Sequence, residues 1–78
     1  MDEKTVNAFR ILGLTRKETE VYIYLSRKGS LRGRETAKGL GMHKSQVYAI
    51  LKSLQFKGVV KATIESPTRF QALPIEEV

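Results

Sequence analysis

The stretch "GMHKSQVYAILKSLQFKG", from Gly41 to Gly58, gathers side chains that carry charge or exchange hydrogen bonds. They are Lys44, Ser45, Gln46, Tyr48, Lys52 and Ser53, with no acid among them. Ammonium groups at this density attract anions, and hydroxyl and amide groups pair with the polar edges of a ligand. Catalysis is poorly served by comparison. It needs a nucleophile with its base, paired carboxylates or a metal cluster. The chain has one histidine, His43, and no cysteine, and its acids lie mostly at the two ends. An enzyme, a metal site and a cofactor are therefore not expected.

The charge distribution sharpens this. Residues 1–20 hold four bases and four acids, whereas residues 21–61 hold nine bases and one acid, Glu35. Residues 62–78 hold Arg69 against Glu65, Glu76 and Glu77. A net charge of +6 concentrated in the middle of the chain points to a polyanionic partner. The opening "MDEKTVNAFR" is acidic and lacks the apolar segment of a signal peptide, and no apolar run reaches membrane-spanning length. A cytoplasmic domain with no membrane contact is expected.

Elements must position the basic stretch. Val6, Phe9 and Leu12 are spaced as one stripe of a first helix, closed by Gly13. Thr15 and Glu18 have capping-box spacing. The run Val21–Leu25 has strand propensity, yet that cap before it and Arg27-Lys28-Gly29 after it predict a second helix. A short third helix is expected from Arg34 to about Leu40, weakened by Gly39 and followed by a turn at Gly41. The fourth runs from Lys44 to Lys57, stopped by Gly58. Its residues Val47, Ile50, Leu51 and Leu54 form one apolar stripe. Ser45, Ala49, Lys52 and Phe56 then lie opposite, with Gln46, Tyr48 and Ser53 on the flanks. "VVKATI" and "RFQAL", separated by "ESPT", read as a β-hairpin.

A short helix, a glycine turn, a longer basic helix and a hairpin, in that order, form a winged helix-turn-helix. The expected fold class is mainly α with a small β-hairpin, a single domain over residues 1–78. An α-helix fits the DNA major groove when a second helix crosses behind it, so double-stranded DNA is the expected partner. The recognition helix covers about 44–57 and the wing about 59–73. Candidate DNA-binding residues are Arg34, Lys44, Ser45, Gln46, Tyr48, Lys52, Thr68 and Arg69. Lys44, Lys52, Arg34 and Arg69 are assigned to phosphates, and Ser45, Gln46 and Tyr48 to base edges. Plainer readings stand beside these. The lysines suit a solvated surface, Gln46 a capping position, and Tyr48 a ring packed on the hairpin. His43 is read as a cap or turn residue.

The chain from about Leu12 onward also resembles the N-terminal DNA-binding domain of the TrmB family of mostly archaeal transcription regulators, many of them sugar-responsive. The resemblance rests on "LGLT", on the S-x-V-Y-x-x-L-x-x-L run from Ser45 to Leu54, on Lys57–Val60 and on "RFQALP" from Arg69 to Pro74. Departures occur at Thr36, where the family favours an aliphatic residue, and near Arg32, where it has Ser or Thr. His43 stands where Pro is frequent and Ala49 where an acid is usual. The resemblance implies a regulator of transcription whose effector is bound by a C-terminal domain, so no effector ligand is expected on this one. "LPIEEV" reads as the start of a further helix. The chain is thus either a fragment of a longer regulator or a minimal member. A homodimer is expected in the native regulator, because one helix and wing touch too few bases for operator-level specificity. Val6, Phe9 and Ile11 are candidates for part of its interface. The rival reading is a winged-helix protein–protein interaction module within the transcription machinery.

Overall fold

A computed structural model describes residues 3–64 and 66–74, excepting the side chains at positions 3, 5 and 6. Four helices precede a two-stranded antiparallel hairpin: α1 (Glu3–Ile11), α2 (Arg16–Lys28), α3 (Gly33–Leu40), α4 (Lys44–Phe56), β1 (Val60–Ala62) and β2 (Phe70–Ala72). This is a winged helix. No helix among the described residues is long and apolar enough to cross a membrane.

The expected capping box starts α2. The Glu18 amide donates to Thr15 Oγ1 at 3.1 Å, and the Thr15 amide donates to Glu18 Oε1 at 2.8 Å. Two otherwise orphaned donors are thereby satisfied. Glu18, Val21, Tyr22 and Leu25 then follow at helical spacing, all buried. The β-prone run is helical because this stripe meets α4, and packing outweighs propensity. Val47, Leu51 and Leu54 of α4 are buried and Ile50 is half-buried, as the periodicity predicts. Leu14, Ala37, Val60 and Phe70 complete the core.

The first helix is placed by Phe9, whose ring lies 5.3 Å from that of Tyr22. Phe9 thus packs within the chain and is half-buried. Ile11 remains 86% exposed and Leu12 52%. The Val6 side chain and the expected helix after Pro74 lie outside the described residues.

The third helix begins at Gly33, one residue before the expected start. Its end is the predicted turn: Gly41 adopts φ 66° and ψ 33°, a left-handed conformation glycine enters without a Cβ penalty. Gly39, weak by propensity, has a packing reason. A Cβ built there would lie 1.8 Å from the Tyr24 hydroxyl oxygen, so a side chain at this position requires the end of the Tyr24 side chain to move.

In the hairpin Val60 pairs with Ala72, Lys61 with Gln71 and Ala62 with Phe70. Hydrogen bonds Leu73 N–H to Val59 O and Thr63 N–H to Arg69 O extend the ladder at both ends. A further bridge was not visible in the sequence. Leu31, between α2 and α3, exchanges both backbone hydrogen bonds with Phe70, at 3.0 and 2.7 Å. The Tyr22 hydroxyl donates to Leu73 O, tying the far end of the hairpin to α2. Two three-residue strands alone are marginal in water. These two attachments fix the wing to the helices.

Candidate nucleic-acid interface

Stepping 100° per residue, α4 presents an outward face and two flanks. Ser45, Ala49, Lys52 and Phe56 occupy the outward face and are all exposed. Lys44 and Tyr48, one turn apart, form the flank toward the wing. Gln46, Ser53 and Lys57 form the flank toward α2. Helix α4 starts at the expected residue with His43 at its N-cap, but His43 makes no side-chain cap. The capping role open to Gln46 is also unfilled, and its amide is exposed. An uncapped start leaves backbone N–H groups and the positive end of the helix dipole facing outward.

On the wing flank an open cleft of about 380 Å³ is lined by Arg32, Arg34, Lys44, Tyr48, Pro67, Thr68 and Phe70. It joins the start of α3, the start of α4 and the wing. The Tyr48 ring meets the Phe70 ring edge-on at 6.1 Å. It also covers Gly33, where a Cβ would stand 2.5 Å from the ring. The packed reading of Tyr48 is the one the geometry displays. Its ring packs on the hairpin, while the residue stays 43% exposed. Of the sequence-predicted residues, the structure brings Arg34, Lys44, Tyr48 and Thr68 together here. Ser45, Gln46 and Lys52 lie on the neighbouring helix surface.

Arg69 is not in the cleft. Side chains alternate along a strand, so the residue between Thr68 and Phe70 points to the other face of the hairpin. There its guanidinium makes a long 3.4 Å contact with Ser30 O. Arg32 is the cleft residue that reading the sequence passed over. Its signal was the departure from a family Ser or Thr, two positions before Arg34. Its amide donates to Glu35 Oε1 at 2.9 Å, and its Nε lies 3.9 Å from the same oxygen. That exposed ion pair is loose and worth little.

The α2 flank differs in chemistry. Lys57 Nζ lies 2.6 Å from Glu18 Oε1 and 2.6 Å from Gly13 O, and the Ser53 hydroxyl donates to Glu18 Oε2. Ser53, which belonged to the polar set of this stretch, and Lys57 are thus committed to a carboxylate more than 30 residues away. Burial alone would raise the Glu18 pKa. The hydrogen bonds from Lys57, Ser53 and the Thr15 amide, with the Lys57 charge, outweigh it and lower the pKa from 4.5 to about 2. Glu18 therefore stays ionised and locks the end of α4 to the start of α2.

No solved structure matches the chain. Among curated proteins, the uncharacterized protein YrhO of Bacillus subtilis (strain 168) is 27% identical over all 78 residues, and the chain spans 28% of that relative's length. A family model described as "Sugar-specific transcriptional regulator TrmB" matches residues 9–76, and the matched part is the N-terminal DNA-binding domain. With its four helices and wing fixed as described, the chain belongs to the TrmB family of transcriptional regulators.

Proposed function

We propose that this chain binds double-stranded DNA sequence-specifically and serves a regulator of transcription, with α4 in the major groove and the hairpin as wing. The observation that carries this reading is the exposed, acid-free face of α4, continuous with the cationic cleft beside it. Lys44, Lys52 and Arg34 contact phosphates, which supply affinity without sequence information. Ser45 and Gln46, near the start of α4, are offered to base edges, with Tyr48 beside them. An exposed Gln amide pairs bidentately with adenine. Thr68 and Arg69 contact the backbone from the wing, on its two faces. The role is one of binding in the cytoplasm, without catalysis or cofactor, and the effector is bound elsewhere in the regulator.

The native regulator acts as a homodimer reading half-sites about one helical turn apart, or a multiple of it. Exposed Ile11 and Leu12 supply apolar surface for a partner copy. Footprinting of the full regulator that protects one short asymmetric site would count against the dimer.

Salt dependence tests the DNA reading. With about five to seven cations on phosphates, log K falls with log salt at a slope of roughly −4 to −6. A flat response sinks this reading in favour of a protein-docking module.

A further inference from the structure

The cleft between α3, α4 and the wing holds three cationic side chains from two helix starts: Arg32, Arg34 and Lys44. Among the described residues the only ion pair any of them makes is the 3.9 Å contact of Arg32 with Glu35. The same Glu35 oxygen already accepts the Arg32 amide, so its charge is directed largely at the helix start. Three like charges around one cleft repel each other unless an anion enters. The wall between them is fixed. The Tyr48 ring occupies the space a side chain at Gly33 would fill, and it meets the Phe70 ring edge-on. Phe70 is in turn held by its backbone to Leu31, which immediately precedes Arg32. Lys44, Tyr48 and the start of α3 thus stand around a braced wall, with Thr68 reaching the cleft from the wing loop.

Resting on the DNA reading above, we propose that this cleft seats the sugar–phosphate backbone of one DNA strand. Arg32 is then a binding residue, sharing phosphates with Arg34 and Lys44 while the Tyr48 and Thr68 hydroxyls act as neutral donors. Two features favour a backbone over a small free anion. The cleft, at about 380 Å³, is larger than one phosphate requires. It also adjoins the start of α4, where Ser45 and Gln46 face the same solvent. A guanidinium fork grips phosphate oxygens bidentately, which makes Arg32 distinct from the point charges of surface lysines.

The test compares Arg32→Ala, Arg32→Lys and Lys17→Ala with the unmodified chain on duplex DNA at several salt concentrations. Circular dichroism checks that each variant is folded. Lys17 lies in the first turn of α2 and removes the same charge away from the cleft. Arg32→Ala should weaken binding about tenfold on preferred and scrambled DNA alike and reduce the salt slope by about one. Arg32→Lys should retain the slope but recover only part of the affinity, and Lys17→Ala should leave both unchanged. If the unmodified chain shows no salt-dependent binding, the DNA reading itself fails. If it does bind but Arg32→Ala behaves like Lys17→Ala, the cleft assignment alone is overturned. It is also overturned if inorganic phosphate at millimolar concentration raises the Tm in an Arg32-dependent way while the DNA slope is untouched.

Discussion

The two flanks of α4 use the same side-chain chemistry for opposite ends. Toward α2, Lys57 and Ser53 converge on Glu18, which is 5% exposed. Toward the wing, Lys44 stands beside Arg32 and Arg34 with no carboxylate of its own among the described residues. A lysine is structural where a buried acid meets it and available where none does. The difference teaches that a basic residue on such a helix acquires its role from what faces it, not from its place in a run of positive charge.

The comparison breaks most sharply at Glu18. Glu18→Ala strands the Lys57 ammonium and the Ser53 hydroxyl and should cost about 3 kcal/mol of stability, read by urea unfolding. Lys44→Ala should cost less than about 0.5 kcal/mol in the same assay, because an exposed unpaired lysine contributes little. Equal losses at both ends would erase the distinction.

Acid titration approaches the same lock reversibly. The folded-state Glu18 pKa of about 2 lies below the unfolded value of 4.5, so its contribution is complete above about pH 4.5. It is lost as pH falls toward 2, removing about 2–3 kcal/mol in total. Urea midpoints measured between pH 6 and pH 2.5 should fall in the unmodified chain. They should fall less in Glu18→Gln, which has no carboxylate to protonate.

On the outward surface the contrast is between reading and gripping. Gln46→Ala should cost about 1–3 kcal/mol on the preferred DNA site and relax the choice at one base position, with the salt slope nearly unchanged. Arg69→Ala should weaken all sequences alike and lower the slope by about one. Measuring both variants on preferred and scrambled duplexes separates the roles. Equal loss for Gln46→Ala on both would make α4 a purely electrostatic surface.

A modest effect is expected at Gly33. Its φ is not positive, so alanine meets no backbone strain, and helix propensity favours it. The Tyr48 ring at 2.5 Å opposes it, for a net destabilisation of about 1 kcal/mol by thermal unfolding. Gly33→Ala in a Tyr48→Ala background should instead be neutral or stabilising.

What could be read from the sequence was local. Thr15 and Glu18 announced their capping box because the partners are three residues apart, and the glycines at 13, 29, 41 and 58 marked stops that the backbone keeps. The stripe of α4 and the hairpin followed from periodicity and a proline turn. What escaped was most of the pairing across the chain, the hairpin and the packing of Tyr48 on it apart. Glu18 meets Lys57 over 39 residues, and Leu31 meets Phe70 over the same distance. Gly39 lies under Tyr24 and Gly33 under Tyr48. No periodicity encodes such contacts, so the flank position of Ser53 does not reveal its carboxylate partner, and Arg32 stays outside the expected site although it stands two residues from Arg34.

The bridge from Leu31 to Phe70 bears on how the wing breathes. Its two hydrogen bonds place β2 between β1 and the segment before α3, while the tip beyond Thr63 and Arg69 is attached at one end only. Opening should therefore run from the tip inward, and hydrogen exchange should grade along the ladder. The amides of Leu31 and Phe70 will exchange through the deepest openings and that of Thr63 through shallow fraying. A wing that frays at its tip but not at its root can adapt the shape of its tip while its root keeps its register on the helices.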